Sequence, residues 1–241
     1  MRKPEMILFD YGQTLIDERY FDGEKGTAAV MQYAVKNKYG KTPKQIQAEA
    51  DKINEELGRF DPERRHLFQI EVSVYPFNAY LYEANGISLS IPYGQAERIF
   101  WDAAAPGVVT PGIKEFLYFL EQQGIRTGVI SNISFSGKAL TERIDRMLPG
   151  HNFEFILASS EYVFRKPNKR IFELALEKAE LGAEDVWYIG DQYECDLVGA
   201  GDAGLFPVWY TGAIESGEFQ DKDVLVISNW NKLREKMLEL F

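Results

Sequence analysis

Three aspartates, a lysine and a serine–asparagine pair stand at or just beyond short runs that read as strands. Asp10 ends the apolar run Met6–Phe9, Ser131-Asn132 ends Arg126–Ile130, and Gly190-Asp191 ends Val186–Ile189, with Asp196 a little further on. Lys166 stands in F-R-K-P-N, just ahead of a predicted helix that opens near Pro167-Asn168. Short apolar runs of this kind have the length and composition of buried parallel strands. The carboxyl ends of such strands border the ligand crevice of an open α/β sheet. All five groups are therefore expected along one edge of one sheet. Clustered carboxylates repel one another unless a cation joins them. Oxygen ligands without His or Cys favour Mg²⁺, which usually keeps waters and a substrate phosphate in its shell. Lys166 is a compact charge suited to a phosphate oxygen.

The elements that must position these groups follow from periodicity and punctuation. After Ile16 the pattern turns helical as far as Gly107, with no convincing buried strand. Thr27–Tyr39 predicts a helix stopped by Gly40. Thr42 predicts an N-cap, with Pro43 at the first position of a helix running to about Leu57. Asp61-Pro62 begins another segment, and Phe77–Ala84 and Tyr93–Ala104 read as two more helices, Asn85-Gly86 closing the first. The aromatics of this stretch, Tyr75, Phe77, Tyr80, Tyr82, Tyr93, Phe100 and Trp101, are expected mainly in a packed helical core, with a minority lining a pocket. Beyond Pro106-Gly107 and Pro111-Gly112, helices and strands alternate. Helices are predicted at Ile113–Gln123, Gly137–Leu148 and Asn168–Leu181, strands at Arg126–Ile130, Phe153–Ala158, Val186–Ile189 and Phe206–Trp209. A short helix runs to Ala203-Gly204, and Val224–Ile227 and Trp230–Leu240 close the chain. Such alternation implies right-handed crossovers and a parallel sheet. The fold class is α/β: a Rossmann-like core from 1–16 and 108–241, helices on both faces, and an α-helical insertion over 17–107.

Composition narrows the partners. The 241 residues carry a net charge of −10, a poor basis for binding nucleic acid or an anionic membrane. No apolar run is long enough to span a bilayer, and the run that meets Asp10 is too short for a signal peptide. The single cysteine, Cys195, excludes an internal disulfide and fits a reducing cytoplasm. It is expected to be a small buried residue. His66 and His151 are expected at the surface, and no Cys/His cluster has zinc spacing.

Asp10-Tyr11-Gly12-Gln13-Thr14, Ser131, Lys166-Pro167 and Gly190-Asp191-Gln192-Tyr193-Glu194-Cys195-Asp196 resemble the four ordered motifs of the haloacid dehalogenase superfamily. The resemblance covers the core, and 17–107 occupies the place of a helical C1-type cap. It implies a hydrolase in which Asp10 is the nucleophile and forms an aspartyl-phosphate. Ser131 would hydrogen-bond the phosphoryl group, and Lys166 would stabilise its charge. Thr14 and Asn132 would contact substrate. Asp10, the backbone carbonyl of Gly12 and Asp191 would hold Mg²⁺, with Asp196 supporting from behind. The implied substrate is a small phosphorylated metabolite.

One position departs from that pattern. Phosphatases of the family usually carry a second Asp, as general acid and base, where this chain has Gly12. Metal binding through a carbonyl survives, but proton transfer loses its usual agent. Dehalogenases of the family also lack that Asp, yet generally lack the acid that Asp191 supplies. The expectation is a Mg²⁺-dependent phosphohydrolase; a catalytically weakened binding or regulatory protein and a dehalogenase are the alternatives. Asp17 and Glu18 are close enough in sequence to substitute for the missing acid, though solvated charges are the simpler expectation. No cap lysine among Lys25, Lys36, Lys38 and Lys41 stands out as a Schiff base.

Overall fold

The computed structural model describes residues 2–58, 69–214 and 224–240. Its centre is β1 (Met6–Phe9), buried at every position. β1 lies between β6 (Arg126–Ser131) and β8 (Val186–Gly190), pairing parallel with both. β7 (Phe153–Ala158), β9 (Phe206–Tyr210) and β10 (Leu225–Ile227) complete a six-stranded parallel sheet of order β10-β9-β8-β1-β6-β7. Side chains alternate across a strand, and β1 uses both faces. Ile7 and Phe9 pack with Phe116, Ile144 and Trp230 of α5 (Ile113–Gln122), α6 (Gly137–Met147) and α9 (Trp230–Leu238). Met6 and Leu8 pack with Ile171, Phe172 and Ala175 of α7 (Lys169–Ala179) on the other face.

The chain leaves this layer through β2 (Ile16–Asp17) and returns through β5 (Val108–Val109). These pair antiparallel, Ile16 with Val109. Between them lie α1 (Gly23–Met31), α2 (Pro43–Leu57), α3 (Val74–Ala84) and α4 (Tyr93–Ala104). Val30, Ile46, Leu81, Ile87 and Ala96 form a separate small core there. The Thr42 cap is present as a full capping box with Gln45, with Pro43 in the first turn.

The helix expected over Thr27–Tyr39 is a correction. Asp22 caps α1 earlier, accepting from Lys25 N, and the helix ends at Met31. Ala34–Asn37 is instead strand β3, paired antiparallel with β4 (Ile87–Leu89). Val35, inside the expected helix, is 70% exposed. The pairing joins residues far apart in sequence, so local periodicity carries no trace of it. The aromatics also depart from expectation. Phe77, Tyr82, Phe100 and Trp101 line a cavity, whereas Tyr75 and Tyr80 are exposed. His151 is half-buried against Phe153 and bonded to Asp145, rather than free at the surface. His66 and Asp61-Pro62 lie outside the described residues. No helix among the described residues is long and apolar enough to cross a membrane.

Candidate active site

Asp10 leaves the end of β1 with its N–H donating to Ile189 O at 2.8 Å, which fixes it beside β8. Ser131 is the last residue of β6, and Asp191 follows β8. Asp196 is brought back by a π-helical turn, Tyr193–Val198, that continues into α8 (Gly199–Asp202). Two glycines make this approach possible. A Cβ at Gly190 would run into the Asp196 carboxylate. One at Gly199 would stand 2.9 Å from Pro167 Cα, in the turn that carries Lys166.

Lys166 is the hub. Its Nζ donates to Asp10 Oδ1 at 2.7 Å, Asp196 Oδ1 at 2.6 Å and Tyr188 OH at 2.6 Å. Its backbone is held at both ends by Asn132, whose Oδ1 accepts from Lys166 N at 2.7 Å and whose Nδ2 donates to Lys166 O at 2.8 Å. Asp196 Oδ2 accepts from Gln192 N at 2.9 Å, so both of its oxygens are occupied. Carboxylate oxygens of Asp10, Asp191 and Asp196 lie within 4.8 Å of one another.

Three carboxylates against one ammonium leave negative charge uncompensated, and the titration of the site reflects it. Burial raises Asp10 to about 6, Lys166 opposing and Asp196 adding to the rise. Asp191 is pushed well above the usual carboxylate range by burial and by the charges of Asp196 and Asp10. Burial alone would lower Lys166, but Asp10 and Asp196 outweigh it and hold the ammonium above its ordinary value. Asp191 Oδ1 is buried without a hydrogen-bond partner. An orphaned oxygen beside two further carboxylates fits a hard divalent cation with oxygen ligands.

Above the cluster opens a cavity of about 1120 Å³, walled by the sheet edge and by α2, α3 and α4. Asp10, Gly12, Ser131, Asn132, Lys166 and Asp196 all line it. The hydroxyl of Ser131 has no hydrogen bond among the described residues, so it is available to a ligand. A Cβ at Gly12 would meet nothing within 4 Å. Thr14 is placed elsewhere. It is fully buried outside the cavity wall, its carbonyl accepting from Thr110 Oγ1 at 2.8 Å, which corrects the expected substrate contact. Asn132 reaches the cavity, but both ends of its amide serve the backbone of Lys166.

Glu18 is also a correction: it is not a solvated charge. Its carboxylate accepts from Tyr11 OH at 2.8 Å, Arg143 Nη2 at 2.7 Å and Trp101 Nε1 at 3.3 Å. Burial raises its pKa, against the pull of Arg143 and Tyr11. Arg143 is itself buried and bonds Asp102 and Ala105 O at the end of α4. Asp17 is turned outward to Arg19 at 2.7 Å. Asp17 does not line the cavity, whereas Glu18 does, with its carboxylate held by Tyr11, Arg143 and Trp101. Cys195 is buried, as expected.

Sequence reasoning missed Tyr188, which sits inside an apolar strand where nothing marks its hydroxyl. It missed Glu71 as well, whose carboxylate accepts from Ser159 Oγ at 2.8 Å and faces Arg165 at 3.4 Å. Arg165, adjacent to Lys166 in sequence, was the available signal.

Known proteins bear out this architecture. A glyceraldehyde 3-phosphate phosphatase from Methanothermobacter thermautotrophicus is 31% identical over 132 residues, 52% of this chain and 57% of that protein. Human haloacid dehalogenase-like hydrolase domain-containing protein 3 is 30% identical over 46% of this chain and 43% of its own length. The chain thus spans about half the length of the curated relatives it matches. Among solved structures, a 2-haloacid dehalogenase from Pseudomonas syringae pv. Tomato DC3000 superposes with a TM-score of 0.65 at 19% identity, covering 100% of both chains. A HAD phosphatase from Thermococcus onnurineus gives 0.66 at 18%, covering 98% of each. At those identities the two structures speak for the fold. The family model for haloacid dehalogenase-like hydrolases matches residues 4–204, four of the six strands of the sheet and every site residue from Asp10 to Asp196, and the chain belongs to that family.

Proposed function

We propose that this protein is a Mg²⁺-dependent phosphohydrolase of a small phosphate monoester, working through an aspartyl-phosphate on Asp10. The observation that carries the reading is the contact of Lys166 with both Asp10 and Asp196 at the floor of a substrate-sized cavity. The names of matched relatives, a glyceraldehyde 3-phosphate phosphatase and a ribulose-1,5-bisphosphate 5-phosphatase, support the same class of chemistry.

In this reading Asp10 Oδ2 attacks phosphorus and the ester P–O bond breaks, the substrate alcohol leaving with a proton taken from solvent, while Oδ1 stays on Lys166, which keeps the carboxylate oriented. Ser131 donates its hydroxyl to a phosphoryl oxygen. Lys166 opposes the charge that grows on the other oxygens, and Asp196 and Tyr188 hold its ammonium in place. Asp10, the carbonyl of Gly12 and Asp191 would hold the metal. When bound, it neutralises the clustered carboxylates and polarises the phosphoryl group. Water then hydrolyses the aspartyl-phosphate, releasing inorganic phosphate and regenerating Asp10.

Residues 17–107 form the cap in this proposal, hinged on the paired strands β2 and β5, and closure would exclude water from the cavity. The single, buried Cys195 suits a reducing cytoplasm. The deciding experiment is a phosphate-release screen over phosphorylated metabolites, with Mg²⁺ and with EDTA. Release that requires the metal supports the reading; its absence across the panel removes it.

A further inference from the structure

Two side-chain amides in the cavity wall, Asn78 and Asn54, have groups left unpaired among the described residues. α3 lays one helical face on the cavity: Val74, Phe77, Asn78, Leu81 and Tyr82 recur at the spacing of one helix face. Asn78 is the polar member of that face. It is 9% exposed, lines the cavity, and has no hydrogen bond among the described residues. Asn54 of α2 lines the same cavity, and its Oδ1 is buried without a partner. By contrast Thr27 and Gln47, also in the wall, are bonded to each other at 2.7 Å. A buried amide without a partner costs stability, so one kept at a cavity wall is explained by a ligand that satisfies it.

The charges of the wall limit what that ligand is. Among the described residues its two cations, Arg165 and Lys166, each face a carboxylate already. Asp51, Glu55 and Glu56 add negative charge where α2 meets the cavity. Among the described residues no cation of the wall is left to receive a second anionic group. An amide offers a donor and an acceptor together, the complement of a hydroxyl. The aromatic walls, with Trp101 stacked on Phe135 at 4.4 Å, suit the C–H faces of a carbon chain or ring.

We infer that Asn78 and Asn54 are specificity residues that read the hydroxyl groups of a neutral polyol or sugar monophosphate, and that the cavity rejects substrates bearing a second anionic group. This rests on the phosphohydrolase reading above, and the test separates the two. Three probes of similar length differ in one respect each: sorbitol 6-phosphate, hexyl phosphate and 6-phosphogluconate. Their affinities are measured calorimetrically with Mg²⁺ on the Asp10→Asn protein, which is expected to have no turnover. Phosphate release from each is measured on the native protein.

Sorbitol 6-phosphate is expected to bind at least about tenfold more tightly than hexyl phosphate, from two or more neutral hydrogen bonds. It is expected to outbind 6-phosphogluconate also. Asn78→Leu and, separately, Asn54→Leu should shrink the first preference while leaving hexyl phosphate affinity unchanged, which also reports an intact fold. Asn78→Ser is the milder replacement should Leu not be accommodated. Equal binding of sorbitol 6-phosphate and either other probe overturns the inference, as does a preference that survives both substitutions or a failure of all three to bind. A hydroxyl preference without any phosphate release overturns the phosphohydrolase reading and leaves the polyol site standing.

Discussion

The ammonium of Lys166 lies 2.7 Å from Asp10 Oδ1, both groups buried, so the charge of each depends on the other. Lys166→Ala would leave Asp10 and Asp196 buried and uncompensated. Breaking a buried pair from one side typically costs about 3–5 kcal/mol. The expected outcome is a melting temperature lower by roughly ten degrees and phosphate release reduced at least about 10²-fold. Thermal denaturation and steady-state assays check both.

Asp10 also sets a pH dependence in metal-free protein. Its folded pKa, about 6, lies above the ordinary carboxylate value of 3.8, so the folded state binds the proton more tightly. The stability it contributes is fully present below the unfolded value and is lost as pH rises through about 6. In EDTA, the melting temperature of native protein should fall across that window more than that of Asp10→Asn. Above it the variant should melt at the higher temperature, while having no turnover. Parallel melting curves against pH would contradict the burial argument.

Asp191→Asn should raise the Mg²⁺ concentration for half-maximal activity by about tenfold or more, because a carboxamide oxygen neutralises no charge. The melting-temperature rise that Mg²⁺ gives native protein should shrink in the variant. Unchanged metal curves would exclude Asp191 as a ligand.

Gly12 predicts a leaving-group signature. General acid–base help contributes about 10²–10⁴ in rate, and the carboxylates of Glu18 and Asp17 are each already bonded to an arginine. Aryl and acyl phosphates, which need that proton least, should be hydrolysed much faster than alkyl phosphates. The aspartyl-phosphate should accumulate, seen as a burst before a slower steady rate. Since a Cβ at Gly12 has open space, Gly12→Asp should fold normally and raise alkyl turnover more than aryl. Equal native rates on both classes, without a burst, would mean another group supplies the proton.

Much of this was legible in the sequence because chain order and sheet order are linked. Each of Asp10, Ser131 and Asp191 follows a short apolar run, and parallel pairing brings the ends of all such runs to one edge. Lys166 was legible as a cation near that edge, but not as the donor to Tyr188, because a hydroxyl inside an apolar strand leaves no pattern. The β3–β4 pairing was illegible for a different reason: its partners, Ala34–Asn37 and Ile87–Leu89, are joined only through tertiary structure. Glu18 was misjudged because Arg143, its counter-charge, comes from α6. The Asn78 amide looked like any polar residue on an aromatic helix until the cavity gave it a direction.

The pairing of Ile16 with Val109 has a consequence for how such a protein can change. Departure and return points of the insertion are neighbours, so the sheet feels only a short closed loop there, whatever its length. The entropy of closing a longer loop grows slowly with its size. The span between them can therefore be lengthened, shortened or exchanged at little cost to the layer beneath. A lineage could keep the floor of Asp10, Lys166 and Asp196 unaltered and acquire new substrates by grafting a different roof onto the same two strands.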